Sequence, residues 1–316
     1  MNKPLVSVGI FTYNQEKYIA QTIESVLIQK CNFDYEILIG EDCSTDGTLK
    51  ICKEYADKYP DKIKLFAREK NLGLIKNYFD ILEKCQGKYI AQCAGDDYWI
   101  DEYKLQKQFD FLESNEEYGL VHTSGYYLKK GKLSEINTQD KTNGDVSKKA
   151  LYWTTTSALT IFFRRDLLKL IDFDEFIKRK FTVEDYPMQA IFSKNTFFGY
   201  LPDITAVYRV TRKSISNNKE MEKMIDYVSG YYRAKQYIKE LYPNDFDVDE
   251  DLENDKLIYL EFRLAKSKFD YSSAKMLYPK FRKQTAKSKN VKLLTRNPIL
   301  FYTSCIVSYI YSLWKY

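Results

Sequence analysis

For its first 115 or so residues the chain alternates short apolar runs with longer segments of helical spacing, and that rhythm limits the folds open to it. Leu5–Thr12, Tyr35–Gly40, Ile63–Ala67 and Lys88–Cys93 are apolar or β-branched and have the length of buried strands. Gln15–Gln29 places Ile19, Ile23, Val26 and Leu27 on one helical face. Thr45–Tyr59 reads as a helix stopped at Pro60, and Gly73–Cys85 as another. Glu102–Glu113 follows, with Leu105, Phe109 and Leu112 aligned. Strands separated by helices pair in parallel through crossovers, so the expected fold is α/β with a mostly parallel sheet flanked by helices.

Two of these strands run into acidic clusters. Glu41-Asp42-Cys43-Ser44-Thr45-Asp46-Gly47-Thr48 follows the second, and Ala94-Gly95-Asp96-Asp97-Tyr98-Trp99 follows the fourth. In open α/β sheets ligands bind at the carboxyl ends of the strands. A carboxylate there can accept from a nucleobase N–H or a ribose hydroxyl. The plain alternative for the first cluster is a polar turn in which Ser44 or Thr45 caps the next helix. In the second, adjacent carboxylates repel unless a cation offsets them. One or two carboxylates plus substrate phosphates are a normal setting for Mg²⁺ or Mn²⁺; the alternative is a solvated loop.

Other chemistries are excluded. The first strand ends in Phe11-Thr12-Tyr13-Asn14, without the glycine fingerprint of a dinucleotide site, and no P-loop motif occurs. An EF-hand loop starting at Asp42 would need Glu at its twelfth position, which is Lys53. Six scattered cysteines and one histidine, His122, make a poor zinc set and point to reduced thiols. His122 lies in an apolar strand and reads as a core residue. Met1-Asn2-Lys3-Pro4 leads straight into a strand, with no signal peptide, so the expected compartment is the cytoplasm.

After residue 117 the rhythm changes. Leu120–Leu128 and Leu133–Ile136 flank Lys129-Lys130-Gly131-Lys132 as a hairpin. Thr160–Phe163 is a strand, Arg164–Ile171 and Asp185–Ser193 are helices, and Ala206–Val210 is a closing strand. From about Ser216 the chain reads as helical, with breaks near Pro243 and Pro279. The expected division is residues 1–215 and 216–316.

Val6–Asn14, Glu41–Thr48, Asn71–Asn77 and Tyr89–Trp99, in that order and spacing, resemble the inverting family 2 glycosyltransferases of bacterial surface-polysaccharide type. The resemblance covers roughly residues 4 to 211. It implies a GT-A (nucleotide-diphospho-sugar transferase) fold with a helical C-terminal extension. It also implies transfer of a sugar, with inversion, from a nucleotide-sugar such as a UDP-sugar to a glycan or lipid-linked glycan. On this resemblance Tyr13 and Asp42 hold the uracil or ribose, with Thr12, Asn14, Glu41, Ser44, Asn71 and Asp96 also on the donor side. Lys76 stands where the family often has Arg. Asp96 and Asp97 stand for the carboxylates that hold Mn²⁺ or Mg²⁺. Two departures weaken the metal set: Ala94 replaces a frequent acidic residue, and Thr211 follows Tyr208-Arg209-Val210 where relatives often carry histidine.

In Thr182-Val183-Glu184-Asp185-Tyr186-Pro187 the family's base matches Asp185, with Glu184 as the alternative. Acidic residues that merely suit a helix N-terminus are the other reading. Trp99, Trp153 and Thr156 fall on the implied acceptor side. Tyr208 and Arg209 reach phosphate or form an ordinary strand. Two rivals remain, a nucleotidyltransferase and a non-catalytic nucleotide-sugar binding module.

Lys256–Arg296 carries twelve Lys/Arg against Glu261 and Asp270. Ile299–Trp314, after Pro298, is apolar or small, and Tyr302, Trp314 and Tyr316 suit an interface. The expectation is a tail, about residues 297–316, that lies on an anionic inner membrane face; a helix packed into the fold is the alternative. No nucleic-acid-binding motif accompanies the basic stretch.

Overall fold

The strand–helix alternation builds one half of a sheet. In the computed structural model, which describes residues 3–136, 142–211, 220–283 and 285–313 (side chains to Ser308), four strands pair in parallel. They are β1 (Val6–Thr12), β2 (Tyr35–Glu41), β3 (Ile63–Ala67) and β4 (Tyr89–Ala94), in the order β3-β2-β1-β4. The helices α1 (Ile19–Leu27), α2 (Thr48–Lys58) and α3 (Leu74–Lys84) form the crossovers, and α4 (Lys104–Ser114) follows β4. Every residue of β1 and β2 is buried. Helices on both faces of a parallel sheet produce this burial, which is why these strands read as unbroken apolar runs.

The other half of the sheet is mixed. It contains β5 (Tyr98–Trp99), β6 (Tyr118–Lys129), β7 (Lys132–Glu135), β8 (Phe162–Arg164) and β9 (Phe197–Arg209). β8 lies antiparallel between β4 and β6, β9 runs parallel to β6, and β5 closes antiparallel on β9. β7 returns from β6 through Lys130 and Gly131, both at positive φ, which is the turn whose twist suits a two-residue hairpin. β9 starts at Phe197, well before the expected Ala206. Its register slips between Leu201 and Ile204, around Pro202 and Asp203, and this bulge hides the strand's period. β5 is too short to have a period. The short helices α5 (Ser147–Ala150) and α6 (Phe173–Lys178) were not expected, whereas α7 (Asp185–Ser193) has the expected bounds. Arg165–Leu170 forms a 3₁₀ segment where an α-helix was expected.

Trp99 requires a correction. It is 2% exposed in the main core, and its Nε1–H donates to Leu159 O at 3.1 Å. Lys104 Nζ stands 4.4 Å from its ring centroid and donates to Gln108 Oε1 at 2.5 Å. Burial lowers that amine to about 7. An aromatic ring enclosed in this way cannot stack on an acceptor.

Met1–Thr211 and Arg212–Tyr316 are separate compact units. The second contains α8 (Met221–Leu241), α9 (Glu250–Ser267), α10 (Tyr271–Leu277), α11 (Ala286–Thr295) and α12 (Pro298–Leu313). Pro243 follows the end of α8, and Pro279 sits in a 3₁₀ turn after α10. The core of this unit includes Ile258, Phe262, Ala274, Val291, Phe301 and Cys305. Buried Asp255 accepts from the N–H groups of Arg282 and Lys283, each at 2.9 Å, and anchors the turn before α11. Among the described residues no helix is long and apolar enough to cross a membrane. Phe301 and Cys305 pack inward, so one face of the tail helix is core. Trp314, Tyr316 and the helix start expected near Ser216 lie outside the described residues.

Trp99→Ala is expected to cost about 3–5 kcal/mol, as a large buried ring and its hydrogen bond are lost, and Trp99→Phe distinctly less. Urea unfolding followed by far-UV circular dichroism measures the difference.

Candidate active site

The loops after β1 and β2 are laced together by side chains the sequence had marked. Asn14 and Cys43 both adopt left-handed backbone conformations immediately after their strands. The Asn14 N–H donates to Ser44 Oγ at 2.9 Å, and Asn14 Oδ1 accepts from Thr45 N–H at 2.8 Å. Gln15 N–H donates to Thr48 Oγ1 at 2.8 Å, and Gly47 N–H to Glu16 Oε2 at 2.7 Å. Tyr13, between them, is 45% exposed and leaves its ring open above the strand ends.

Asp42 carries more load than a ligand residue needs. Its Oδ1 accepts from Leu72 N–H at 2.7 Å and its Oδ2 from Gly73 N–H at 3.0 Å. Asn71 Nδ2 donates to the Asp42 carbonyl at 2.9 Å. The buried carboxylate thus docks the loop preceding α3, and each oxygen keeps a second lone pair for a further donor. Glu41 is fully buried. Its Oε1 accepts from Ser44 N–H at 2.8 Å, while Oε2 has no hydrogen-bond partner. Asn71 and Lys76 are exposed on the same loop and helix start.

The second cluster turns tightly against β1. Gly95 N–H donates to Phe11 O at 2.8 Å, and a Cβ on Gly95 would sit 2.4 Å from Gln15 Oε1 and 2.6 Å from Thr12 Oγ1. Only glycine lets the backbone come this close. Thr12 Oγ1 itself donates to Gln15 Oε1 at 2.8 Å. The two carboxylates then part in role. Asp97 Oδ1 accepts from the Arg209 backbone N–H at 2.8 Å, which ties the turn to the end of β9. The Arg209 guanidinium donates to the Asp96 carbonyl at 2.6 Å and to Gln21, between the rings of Tyr98 and Tyr18. Arg209 therefore shapes the turn through backbone groups. Burial raises the proton affinity of Asp96. Burial first, and Asp96 second, raise that of Asp97.

A buried Asp97 beside a partly buried Asp96, both resisting ionisation, fits a cation. Among the described residues, no set of three or more His, Cys, Asp or Glu converges on one point. The fit is therefore to an ion that takes one or two carboxylates and completes its shell with water and phosphate oxygens, as Mg²⁺ and Mn²⁺ do. Asp96 is the freer ligand, and Ala94 offers none.

The third acidic pair opens α7. Burial, then the charge on Asp185, push Glu184 up to about 8; burial also raises Asp185, although Tyr186 N–H donates to its Oδ1 at 2.7 Å. Both charges act on Tyr78, whose hydroxyl is held well above its ordinary range by burial and then by these carboxylates. Tyr78 donates to Gln92 Oε1 on β4 at 2.6 Å and packs 4.5 Å, centroid to centroid, from Phe11 on β1. The Tyr78 ring thus sits against β1 and β4, within electrostatic range of the start of α7.

One turn into α7, Gln189 grips the loop that follows α5. Its Oε1 accepts from Thr155 N–H at 2.9 Å and Thr156 N–H at 3.0 Å, and its Nε2 donates to Thr156 O at 3.1 Å. Thr156 is 2% exposed, and its buried hydroxyl oxygen has no partner. Trp153, by contrast, is 52% exposed. Of the three residues expected on the acceptor side, only Trp153 presents a surface. Tyr78 and Gln189 were missed: one looks like an ordinary helix aromatic and the other like any polar helix residue. His122 is a core residue, with Nε2 3.0 Å from Thr142 O and its basicity lowered to about 4 by burial.

The acidic loops after β2 and β4 lie at the carboxyl ends of the parallel strands, where open α/β sheets bind ligands. The model of glycosyl transferase family 2 matches residues 7–171. The chain is 32% identical over 224 residues to a putative teichuronic acid biosynthesis glycosyltransferase, TuaG, of Bacillus subtilis, which covers 69% of this chain and 83% of TuaG. It is 39% identical over 112 residues to an uncharacterized protein of Mycobacterium tuberculosis, 35% of this chain and 32% of that protein, so it spans about a third of that relative. S. aureus TarS 1-349 in complex with UDP-GlcNAc superposes with a TM-score of 0.57 at 18% identity, over 97% of this chain and 92% of that one, a likeness of fold. The chain belongs to glycosyl transferase family 2, and its fold is GT-A.

Asp42→Ala leaves the Leu72 and Gly73 N–H groups without acceptors, and is expected to lower stability by about 1–3 kcal/mol. Asp42→Asn, which keeps one acceptor, is expected to cost less. Urea midpoints of the two variants against wild type measure this.

Proposed function

We propose that the protein transfers a sugar from a nucleotide-sugar, a UDP-sugar by preference, to a hydroxyl of a glycan or lipid-linked glycan with inversion, in the synthesis of a surface polysaccharide. The Glu184–Asp185 pair carries this reading: both carboxyls hold their protons more tightly than in water, and both act on Tyr78, which bonds Gln92 of β4, the strand that leads into the Asp96 turn. Family membership supports sugar transfer. The teichuronic acid assignment of TuaG supports the polymer class, and the UDP-GlcNAc complex of TarS supports the donor class. In this reading the catalytic unit is cytoplasmic and works at the inner face of the cell membrane, where a lipid-linked acceptor resides.

In a single displacement the acceptor oxygen bonds to the anomeric carbon as the bond to the diphosphate breaks. Asp185 takes the acceptor proton, and the nucleoside diphosphate leaves with the bonding pair. Tyr13 and Asp42 hold the nucleoside, with Thr12, Asn14, Glu41, Ser44 and Asn71 shaping that pocket and Lys76 facing the phosphates. A divalent ion at Asp96 and Asp97 supplies positive charge against the leaving diphosphate when bound. Trp153 offers its open ring to the acceptor sugar.

Donor hydrolysis and transfer by wild type, Asp185→Asn and Asp96→Ala test the assignment. Asp185→Asn is expected to lower kcat by about 10²–10⁴-fold, with donor affinity retained. Asp96→Ala is expected to weaken donor binding and its response to Mn²⁺. Equal rates in all three proteins would sink the site.

The pH profile carries its own sign. A base works deprotonated, and burial raises Asp185, so the rising limb of kcat/KM should lie above the ordinary carboxylate range. If Asp185→Asn stays active with its limb moved to lower pH, the base is Glu184, since the neighbouring charge that raises Glu184 is then gone.

A further inference from the structure

The helical unit contains a surface the catalytic reading does not use. No acidic residue occurs between Asp270 and Tyr316, while nine Lys/Arg do. Arg282 and Lys283 are paired back to Asp251 and Asp249. Lys287, Lys289, Lys292 and Arg296, on and just after α11, have no salt-bridge partner among the described residues; Lys287 and Lys292 lie over the rings of Tyr259 and Tyr278. Lys289 and Arg296 are exposed.

Beside this charge, α12 is amphipathic in an unusual sense. Phe301 and Cys305 fill the core of the unit. Ile299, Tyr302, Thr303 and Ile306 follow the three-and-four spacing of one helical face on the opposite side, and all are exposed. Ile299 is 71% exposed, Ile306 51% and Val307 61%, with Leu293 of α11 at 55%. A soluble helix normally turns polar residues outward; this one turns branched apolar residues outward.

We propose that the exposed face of α12, with the free cations of α11 and Arg296, is a docking surface for an anionic lipid bilayer. The charge selects the occupant. A second copy docked face to face would bring two acid-free basic surfaces together, whereas anionic headgroups complement them. The geometry selects the depth. α12 has sixteen residues, about 24 Å of helix, against a hydrocarbon core of about 30 Å. It lies in the interface with its apolar face among the acyl chains and its cations at the headgroups. The surface rests on the sugar-transfer reading for its use, a lipid-linked acceptor, but not for its chemistry.

Flotation of the full chain tests it, with vesicles of phosphatidylcholine alone and of phosphatidylcholine with phosphatidylglycerol. Binding is expected only to the anionic vesicles and should weaken with salt. The double variant Lys289→Gln/Arg296→Gln should bind about 25-fold more weakly, at roughly five-fold per well-placed cation. Ile299→Glu/Ile306→Glu should abolish binding with circular dichroism unchanged, since both side chains are exposed. Donor hydrolysis by either variant should equal wild type, so loss of catalysis and loss of docking are read separately. Equal binding to both vesicle types, no binding to either, or vesicle binding untouched by both variants would overturn the proposal. So would a dimer in light scattering that Ile299→Glu/Ile306→Glu dissociates while vesicle binding is absent.

Discussion

β1 is paired on both edges and buried on both faces, and the rest of the catalytic unit is organised about its carboxyl end. A central strand in this position has no free backbone hydrogen-bonding capacity along its length. Its polar groups become available only where it stops, at Thr12. There the chain enters a left-handed conformation at Asn14, and three other segments converge on the opening. Phe11 O accepts from the Gly95 turn, Thr12 O accepts from Asp42, and the Phe11 ring receives Tyr78. The loops after β2 and β4 are thus located by backbone hydrogen bonding to one strand end, and the side chains of Asp42 and Asp97 complete the anchoring.

The acidic groups also share an electrostatic burden. Glu41 and Asp97 are buried, and Asp96, Glu184 and Asp185 are partly so. Glu41 leaves an oxygen without a partner, and the other four hold their protons more tightly than in solution. A fold retains such a concentration of buried negative charge at a cost in stability. Cationic groups and hydrogen-bond donors are what offset such a cost. The Arg209 charge partly offsets Asp96 and Asp97, while its guanidinium donates to a carbonyl and an amide rather than to either carboxylate.

The parallel half of the fold was legible because buried strands and amphipathic helices write their periods plainly, and the acidic loops fell at their ends. Legibility failed where tertiary structure overrides period. β9 is interrupted by a bulge at Pro202 and Asp203, β5 is two residues long, and Arg165–Leu170 winds too tightly for a helix. Trp99 falls on the acceptor side only by resemblance, and its burial and its bond to Leu159 O make it a core residue. The sequence marks Asp42 as a donor ligand but not as the anchor of the loop before α3, because the N–H groups it holds belong to Leu72 and Gly73, thirty residues away. Long-range backbone partners leave no mark in a sequence.

Gln189 has a consequence for where this region tolerates change. Its amide clasps Thr155 and Thr156 to the helix that begins at Asp185, while Tyr152 and Trp153 remain open to solvent just before the clasp. Substitution of Trp153 alters an exposed surface and leaves the clasp intact. Substitution of Gln189 breaks three hydrogen bonds at once and frees the loop from the helix.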